Sequence, residues 1–410
     1  MPSVLPLPAS SLHQVKFAVV ALAVGGFALG TTEFSIMGLL PEVSAGLGVS
    51  ITDAGVLISA YALGVVVGAP ILAAATARMS RRKLVLGLMV LFTIANASSY
   101  FAPTFEWLIL TRFISGLPHG AYFGVAVLIA ASLVGPTKRA QAVAMVMLGL
   151  SVANVVGVAA VTWLGQNAGW RHMFTVVAVV GLLTIVLLYF FVPAQSVHAG
   201  ASIRRELGAL ASLQVWLTLF IGIVGFGGFF AVYSYIAPTM TDVSGFPSSA
   251  IPIITSVYGL GMVAGNIIGG KLADHNVMRS IYVVLTLIVA SLLAFHFLVE
   301  LAWAAIIMIF VIGAVGSALV PGLQTRLMDV SPDAPSLAAS LNHSALNVAN
   351  ALGAFLGGAV IAWGWGLKAP ALVGAILALL GLGIAALSGV IERRRQDRTS
   401  DAVTSVGSSH

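Results

Sequence analysis

The sequence predicts an all-α polytopic membrane protein of twelve transmembrane helices, arranged as two six-helix halves that repeat one another in parallel. Three observations carry this. Of 410 residues, 59% are hydrophobic and 8% charged, where a soluble domain carries about 25% charged. The apolar residues, roughly 240, suffice for twelve spans of ~20. Short polar turns break the chain into twelve apolar runs, and a shift of 197 residues lays the second six onto the first.

Water cannot solvate so much apolar surface, which excludes a soluble enzyme, a nucleic-acid binder and a disordered chain. The net charge of +6 therefore reports orientation in a bilayer rather than a nucleic-acid partner. Cys is absent, so disulfides, thiolate metal sites and Cys nucleophiles are excluded.

The spans follow in order. The first run, 16–38, is too long for a signal-peptide core and reads as a retained span. The second, 51–76, opens on a Ser50-x-x-Asp53 capping pattern, which explains Asp53 better than an ion site does. Runs at 84–101, 106–133, 140–163 and 171–192 complete the first half, 1–193. A cytoplasmic linker is expected at 194–212, too short for a domain. Runs at 213–237, 250–271, 279–299, 302–325, 338–363 and 369–391 form the second half, 213–391, before a solvated tail at 392–410. The seven Trp (107, 163, 170, 216, 303, 363 and 365) all fall at span ends, where an amphipathic ring prefers the interface.

Charge sets the direction. Sixteen of nineteen Lys and Arg lie on the side of the N-terminus, two (Arg171 and Lys368) on the other, and Arg112 inside a span. This places both termini in the cytoplasm of a multi-pass cell (inner) membrane protein.

In the repeat, Gly25 meets Gly222, Gly30 meets Gly227, Pro41 meets Pro238 and Gly48 meets Gly245. Ser59 meets Ser256, Tyr61 meets Tyr258, Gly64 meets Gly261, Gly68 meets Gly265, Arg82 meets Arg279 and Gly116 meets Gly313. Six spans per half put both halves in the same orientation, with a site expected near the midplane between them. Small residues four apart occur in spans 2, 5, 8 and 11, such as Gly64 with Gly68 and Gly261 with Gly265. Such rows let backbones approach closely and mark these spans as candidates for the interface between halves.

The stretches TTEFSIMGLLPEVSAGLGVS (31–50), YALGVVVGAP (61–70), RMSRRK (78–83), RFISGLPHGAYFGV (112–125), SVANVVG (151–157) and GWRHMF (169–174) carry a family resemblance. Together with the six-plus-six repeat, they resemble the twelve-span drug:proton antiporters of the major facilitator superfamily, nearest the arabinose-efflux and chloramphenicol-efflux permeases. The resemblance spans essentially the whole chain. It implies a major facilitator fold and a cytoplasmic gating loop. That loop departs from the family pattern: Arg78, Arg81 and Arg82 remain, but Ala73, Ala77 and Ser80 replace Gly, Asp and Gly. The repeat copy keeps Gly270 and Asp274. The span-5 motif also lacks its Pro after Gly157.

Glu33 lies inside span 1, where a carboxylate must be paired, hydrated or protonated, and it shares a face with Gly26, Gly30 and Met37. Arg112 stays charged at any accessible pH and needs an anion, carbonyls or water, unless it snorkels to the interface. With Ser115, His119 and Tyr122 it forms a polar stripe on span 4. Glu33, Arg112 and His119 are the expected proton-coupling residues; for Arg112 the resemblance implies tuning of the proton site. Asn154, His343, Asn347 and Asn350 are midspan polar groups able to hold a substrate or to join helices. Tyr233, Tyr235 and Tyr258 with Phe226, Phe229 and Phe230 make an aromatic wall, for stacking a ring-shaped substrate or for packing.

The expected function is a secondary active transporter for proton-coupled efflux of a small neutral or amphipathic solute, sugar or drug, by alternating access. A facilitator or importer of the same fold is one alternative. An intramembrane hydrolase built on Ser115 and His119 is the other. No P-loop, dinucleotide fingerprint or metal-ligand cluster occurs, so no cofactor or metal is expected beyond a proton gradient. The expected partners are the substrate, protons and lipid, with the chain a monomer.

Overall fold

A computed structural model of the chain describes residues 12–75, 79–134, 139–194, 211–331 and 335–407. Among the described residues, twelve helices are long and apolar enough to cross a membrane. No strand occurs among the described residues. Span 1 is Leu12–Gly38, span 2 Ile51–Ala75, span 3 Arg81–Tyr100, span 4 Phe105–Ser132 and span 6 His172–Phe191. Span 5 is Arg139–Val152 continued by Val158–Ala168, with a π-helical turn at Ala153–Gly157 between them. Span 7 begins as Leu213–Gly225 and resumes at Gly227–Tyr233. Spans 8, 9 and 10 are Ile251–His275, Val277–Leu298 and Ala302–Val330. Span 11 is Pro335–Val360, and span 12 runs Ala369–Gly407. That last helix carries through Glu392–Gly407, where the sequence led us to expect a solvated tail. Most of the expected linker, with Arg78 of the gating loop, lies outside the described residues.

These helices are apolar nearly all round because both sides are dry. Leu182, Leu183 and Val186 of span 6 and Leu379 and Leu380 of span 12 are about half exposed, as a lipid-facing surface requires. Six Trp sit exposed at span ends. Trp170 is the exception: it is 6 % exposed, lies against Gly46, and carries the Arg171 guanidinium 4.3 Å above its ring. Ser50 caps span 2, its hydroxyl accepting the Asp53 N–H at 3.0 Å.

The repeat holds at the level of single carbonyls. Gly64 leaves room for the Phe113 carbonyl and Gly261 for that of Phe310; Gly68 does so for Leu117, Gly265 for Ala314. Gly116 faces the Tyr61 carbonyl and Gly313 that of Tyr258. Each pair is related by the same 197-residue shift. Spans 2 and 4 thus pack as spans 8 and 10 do. The ends of spans 1 and 7 repeat as well: each passes into a short segment and stops at a glycine in the left-handed region, Gly48 at φ 66° and Gly245 at φ 75°.

Spans 2 and 11, and spans 5 and 8, join the two halves. The sequence pointed to these four helices, but the glycine rows do not face across the joint. They pack within each half, against spans 4, 10, 1 and 7. Repeat-related serines hydrogen-bond across the joint. Ser59 donates to the Ala351 carbonyl at 3.3 Å, and Ser256 to the Val155 carbonyl at 2.8 Å. Val155 lies in the π turn, whose wide geometry frees backbone carbonyls from the helical ladder. At the bundle end away from the termini, the Gln166 amide donates to Glu42 at 3.2 Å and to the Ser248 carbonyl at 2.9 Å, which ties the halves there.

A methyl group at Gly68 or Gly265 would strike the facing carbonyl, whereas one at the lipid-facing Gly87 meets nothing within 4 Å. Gly68→Ala and Gly265→Ala should each cost about 1–3 kcal/mol, read as a lower melting temperature in detergent. Gly87→Ala should leave it unchanged.

Candidate functional site

The charged residues inside the bundle meet near the middle of the first half. Glu33 of span 1 is 5 % exposed and Arg112 of span 4 is fully buried. Gly30, one turn before Glu33, lies against Leu150 and Ala153, so span 5 seats closely beside the acid. Pro118 lies within span 4 directly before His119. It leaves the Ile114 carbonyl without its helical N–H donor.

Arg112 does not snorkel. Its Nη1 donates to the Thr32 hydroxyl at 3.0 Å, and Thr32 donates to the Asn96 side-chain oxygen at 2.7 Å. Its guanidinium carbon lies 4.3 Å from the centre of the Tyr61 ring, a cation–π seat in a dry setting. Nε and Nη2 have no hydrogen-bond partner among the described residues. The Glu33 carboxylate approaches His119 instead, with Oε2 3.9 Å from Nε2. The other imidazole nitrogen, Nδ1, is 2.9 Å from the Tyr61 hydroxyl. Tyr61 therefore joins the cation to the imidazole, and the imidazole joins Tyr61 to the acid.

The stripe read on span 4 is buried throughout, but Ser115 donates to the Arg112 carbonyl at 2.9 Å rather than to His119. Both His119 nitrogens are directed elsewhere. A Ser–His dyad is not formed, and the hydrolase alternative is set aside.

The second half meets this cluster through aromatic rings. Phe34, next to Glu33, lies 6.3 Å from Phe230 with near-parallel planes and 5.7 Å from Tyr233. Tyr233 and Tyr258 stack at 4.0 Å and 1°. Tyr258 donates to the Phe229 carbonyl at 3.4 Å, while the Tyr233 hydroxyl is buried without a partner among the described residues. His343 stacks on Phe123 at 5.7 Å, and Phe123 in turn lies 5.2 Å from His119. Phe123 thus links His343 of the second half to His119 of the first.

The amides are less united. Asn154 in the π turn donates to the Leu150 carbonyl at 3.0 Å, and Asn347 to the His343 carbonyl at 3.0 Å. Their oxygens, and both polar atoms of Asn350, are buried without partners among the described residues. No hydrogen bond among the described residues joins the three. The Asn154 backbone lies against Gly259, beside Tyr258, so span 5 meets the aromatic wall there.

The gating residues lie at the end that carries the termini. Arg82 donates to the Tyr189 carbonyl and stands 5.5 Å from its ring. Arg81 is half-buried; Gly270 has open space beside it; Asp274 is exposed and makes no ion pair among the described residues.

Sequence reasoning missed Thr32 and Tyr61 as partners of Arg112, Asn96 as the acceptor for Thr32, and Phe34 as the bridge between halves. The Tyr61–Tyr258 repeat match was the available signal. The run expected at 302–325 left Arg326 just outside span 10, whereas the helix extends to Val330 and buries it. There Arg326 pairs with both Glu392 oxygens, at 3.0 and 2.8 Å, and reaches Gln214 at 3.4 Å. Glu392 comes from the extension of span 12, which this pair fastens to span 10.

Two parallel six-helix halves around a buried acid, a buried cation and an aromatic wall define a membrane transport protein rather than an enzyme. The sequence pattern of the Major Facilitator Superfamily matches residues 22–334 and 248–406. The chain is 40% identical over 386 residues to the inner membrane transport protein YdhP of Escherichia coli (strain K12), covering 94% of this chain and 98% of that one. It is 32% identical over 368 residues to a chloramphenicol resistance protein of Streptomyces lividans, covering 89% and 94%. A crystal structure of a bacterial homolog of the human lysosomal transporter Spinster, inward-facing and unoccupied, shares the fold. It superposes with a TM-score of 0.73 at 17% identity, covering 92% of this chain and 98% of that one. The chain belongs to the Major Facilitator Superfamily.

Thr32→Val keeps the shape of the side chain and removes the hydroxyl that serves both Arg112 and Asn96. Two buried polar groups would lose a partner, at about 1–3 kcal/mol. Thermal melting should show the loss, and adding Asn96→Leu should recover part of it.

Proposed function

We propose that the chain is a proton-coupled exporter of a small neutral or amphipathic solute. It sits in the inner membrane as a monomer with both termini in the cytoplasm. The carrying observation is the seam where the two halves meet: Glu33, with His119 and Arg112, belongs to one half, and the adjacent Phe34 lies on the aromatic wall of the other. A carboxylate buried beside a histidine and a permanent cation is suited to exchanging a proton with water whenever the site opens. A flat or amphipathic solute entering among Phe34, Phe230 and Tyr233 would lie directly beside that acid, so the two compete.

Asn154, Tyr233, His343, Asn347 and Asn350 supply donors and acceptors without adding a fixed charge, which favours an uncharged solute. Tyr258 backs Tyr233 by stacking. The halves would rock about spans 2, 5, 8 and 11. In this reading Ser59, Ser256 and Gln166 close the outer side, while Arg78, Arg81, Arg82, Gly270 and Asp274 lie at the inner gate. The names of the relatives, an inner membrane transport protein and a chloramphenicol resistance protein, support this assignment.

The test begins with a melting screen of purified protein against sugars, nucleosides and amphenicols. The compound that raises the melting temperature most is then followed into liposomes with an imposed pH gradient. Flux should follow the gradient in the wild type and fall at least about tenfold in Glu33→Gln, with binding retained. Gradient-independent flux in the wild type would identify a facilitator instead.

A further inference from the structure

We propose that Tyr61 is a positioning residue of the proton site: it fixes which nitrogen of His119 carries the hydrogen and ties that choice to the proton on Glu33. The purpose of this device rests on the proton-coupled reading above, but its measurement does not.

A neutral imidazole holds one hydrogen, on Nδ1 or on Nε2. Here each nitrogen faces a different group. Nδ1 is 2.9 Å from the Tyr61 hydroxyl, and Nε2 is 3.9 Å from Glu33 Oε2, about 1 Å beyond a hydrogen bond. An ionised Glu33 only accepts. It calls for the hydrogen on Nε2, so Nδ1 offers a lone pair and the Tyr61 hydroxyl donates to it. A protonated Glu33 donates to Nε2, so the hydrogen sits on Nδ1 and the Tyr61 oxygen accepts it. The two arrangements differ by the single proton on Glu33, and His119 is neutral in both. Only a hydroxyl serves both, because it turns about its C–O bond without moving its ring.

The ring has its own task. Its face holds the Arg112 guanidinium, whose Nη1 is bound to Thr32. The cation is thereby anchored apart from the carboxylate, and Glu33 remains free to answer His119. The other titratable groups that face the pair are Arg112 of span 4, Tyr233 of span 7 and His343 of span 11.

The repeat separates this role from packing. Tyr61 and Tyr258 rest their carbonyls on equivalent glycines, Gly116 and Gly313. Yet Tyr258 stacks on Tyr233 and binds a backbone carbonyl, whereas Tyr61 meets an imidazole and a guanidinium. The same backbone seat supports two chemistries, so the hydroxyl–imidazole bond is not imposed by the fold.

The experiment is nitrogen NMR of the full-length chain in lipid nanodiscs, with its eight histidines ¹⁵N-labelled. His119 is assigned by its loss in His119→Gln, and the sample is titrated from about pH 5 to about pH 9. In the wild type the His119 hydrogen should pass from Nδ1 to Nε2 as pH rises. Glu33→Gln, which has no titrating proton to pass on, should hold a single tautomer throughout. Tyr61→Phe keeps the seat for Arg112 and should show one tautomer over the whole range, the other histidine signals being unchanged. A wild-type tautomer change that persists with the same midpoint in Tyr61→Phe would overturn the proposal. So would a single tautomer in the wild type at every pH, a result that needs no variant to fold. A wild type that shows the tautomer change but no proton-driven flux would count against the transport reading and uphold this one.

Discussion

A guanidinium inside a bilayer has no water to solvate it and no means of becoming neutral, so everything around Arg112 is arranged to replace that water. The Tyr61 ring lies beneath it, Thr32 accepts one of its hydrogens, and Asn96 fixes Thr32 from behind. Spans 1, 2, 3 and 4 are drawn together by this one ion. Glu33 then occupies the electrostatic field of a cation that does not clamp it, next to a histidine that can answer its protonation. An acid locked bidentate to arginine would be a structural ion pair, as Arg326 and Glu392 are at the other end of the molecule. An acid held short of that pairing can exchange its proton.

The two halves repeat one another in sequence, and key backbone contacts repeat with them. The same glycines admit the same carbonyls, and the same serines hydrogen-bond across the joint. Their side chains have diverged at the centre. Where the first half has Glu33 and Arg112, the second has Phe230 and Ile309, and Tyr61 has Tyr258 as its counterpart. In the proposed transport cycle, this symmetric scaffolding is what would let the halves rock as similar bodies. Asymmetric lining puts ionic chemistry on one side of the seam and aromatic surface on the other, with Phe34 touching both.

Much of this was legible in the chain. Twelve spans follow from hydropathy because lipid permits little else, and charge placement in a span is scarce enough that Glu33 and Arg112 stand out. The partners of those charges were not legible, because Thr32, Asn96 and Tyr61 are ordinary residues whose importance comes from which helices the fold brings together. The glycine rows show the same limit. Their spacing predicts a close approach but not the direction, and they turned out to face within each half. Arg326 was misplaced because a helix can run past its apolar stretch when a partner such as Glu392 waits at its end. The π turn at Ala153–Gly157 leaves no mark in hydropathy at all.

The central claim is that solute and proton compete for one site built around Glu33. Its most direct test is proton release on binding, measured with a pH indicator in weakly buffered purified protein as a tightly binding compound is added. The account predicts release of close to one proton per solute bound, abolished in Glu33→Gln even where that variant still binds. Saturating binding with no proton released from the wild type at any pH would contradict it.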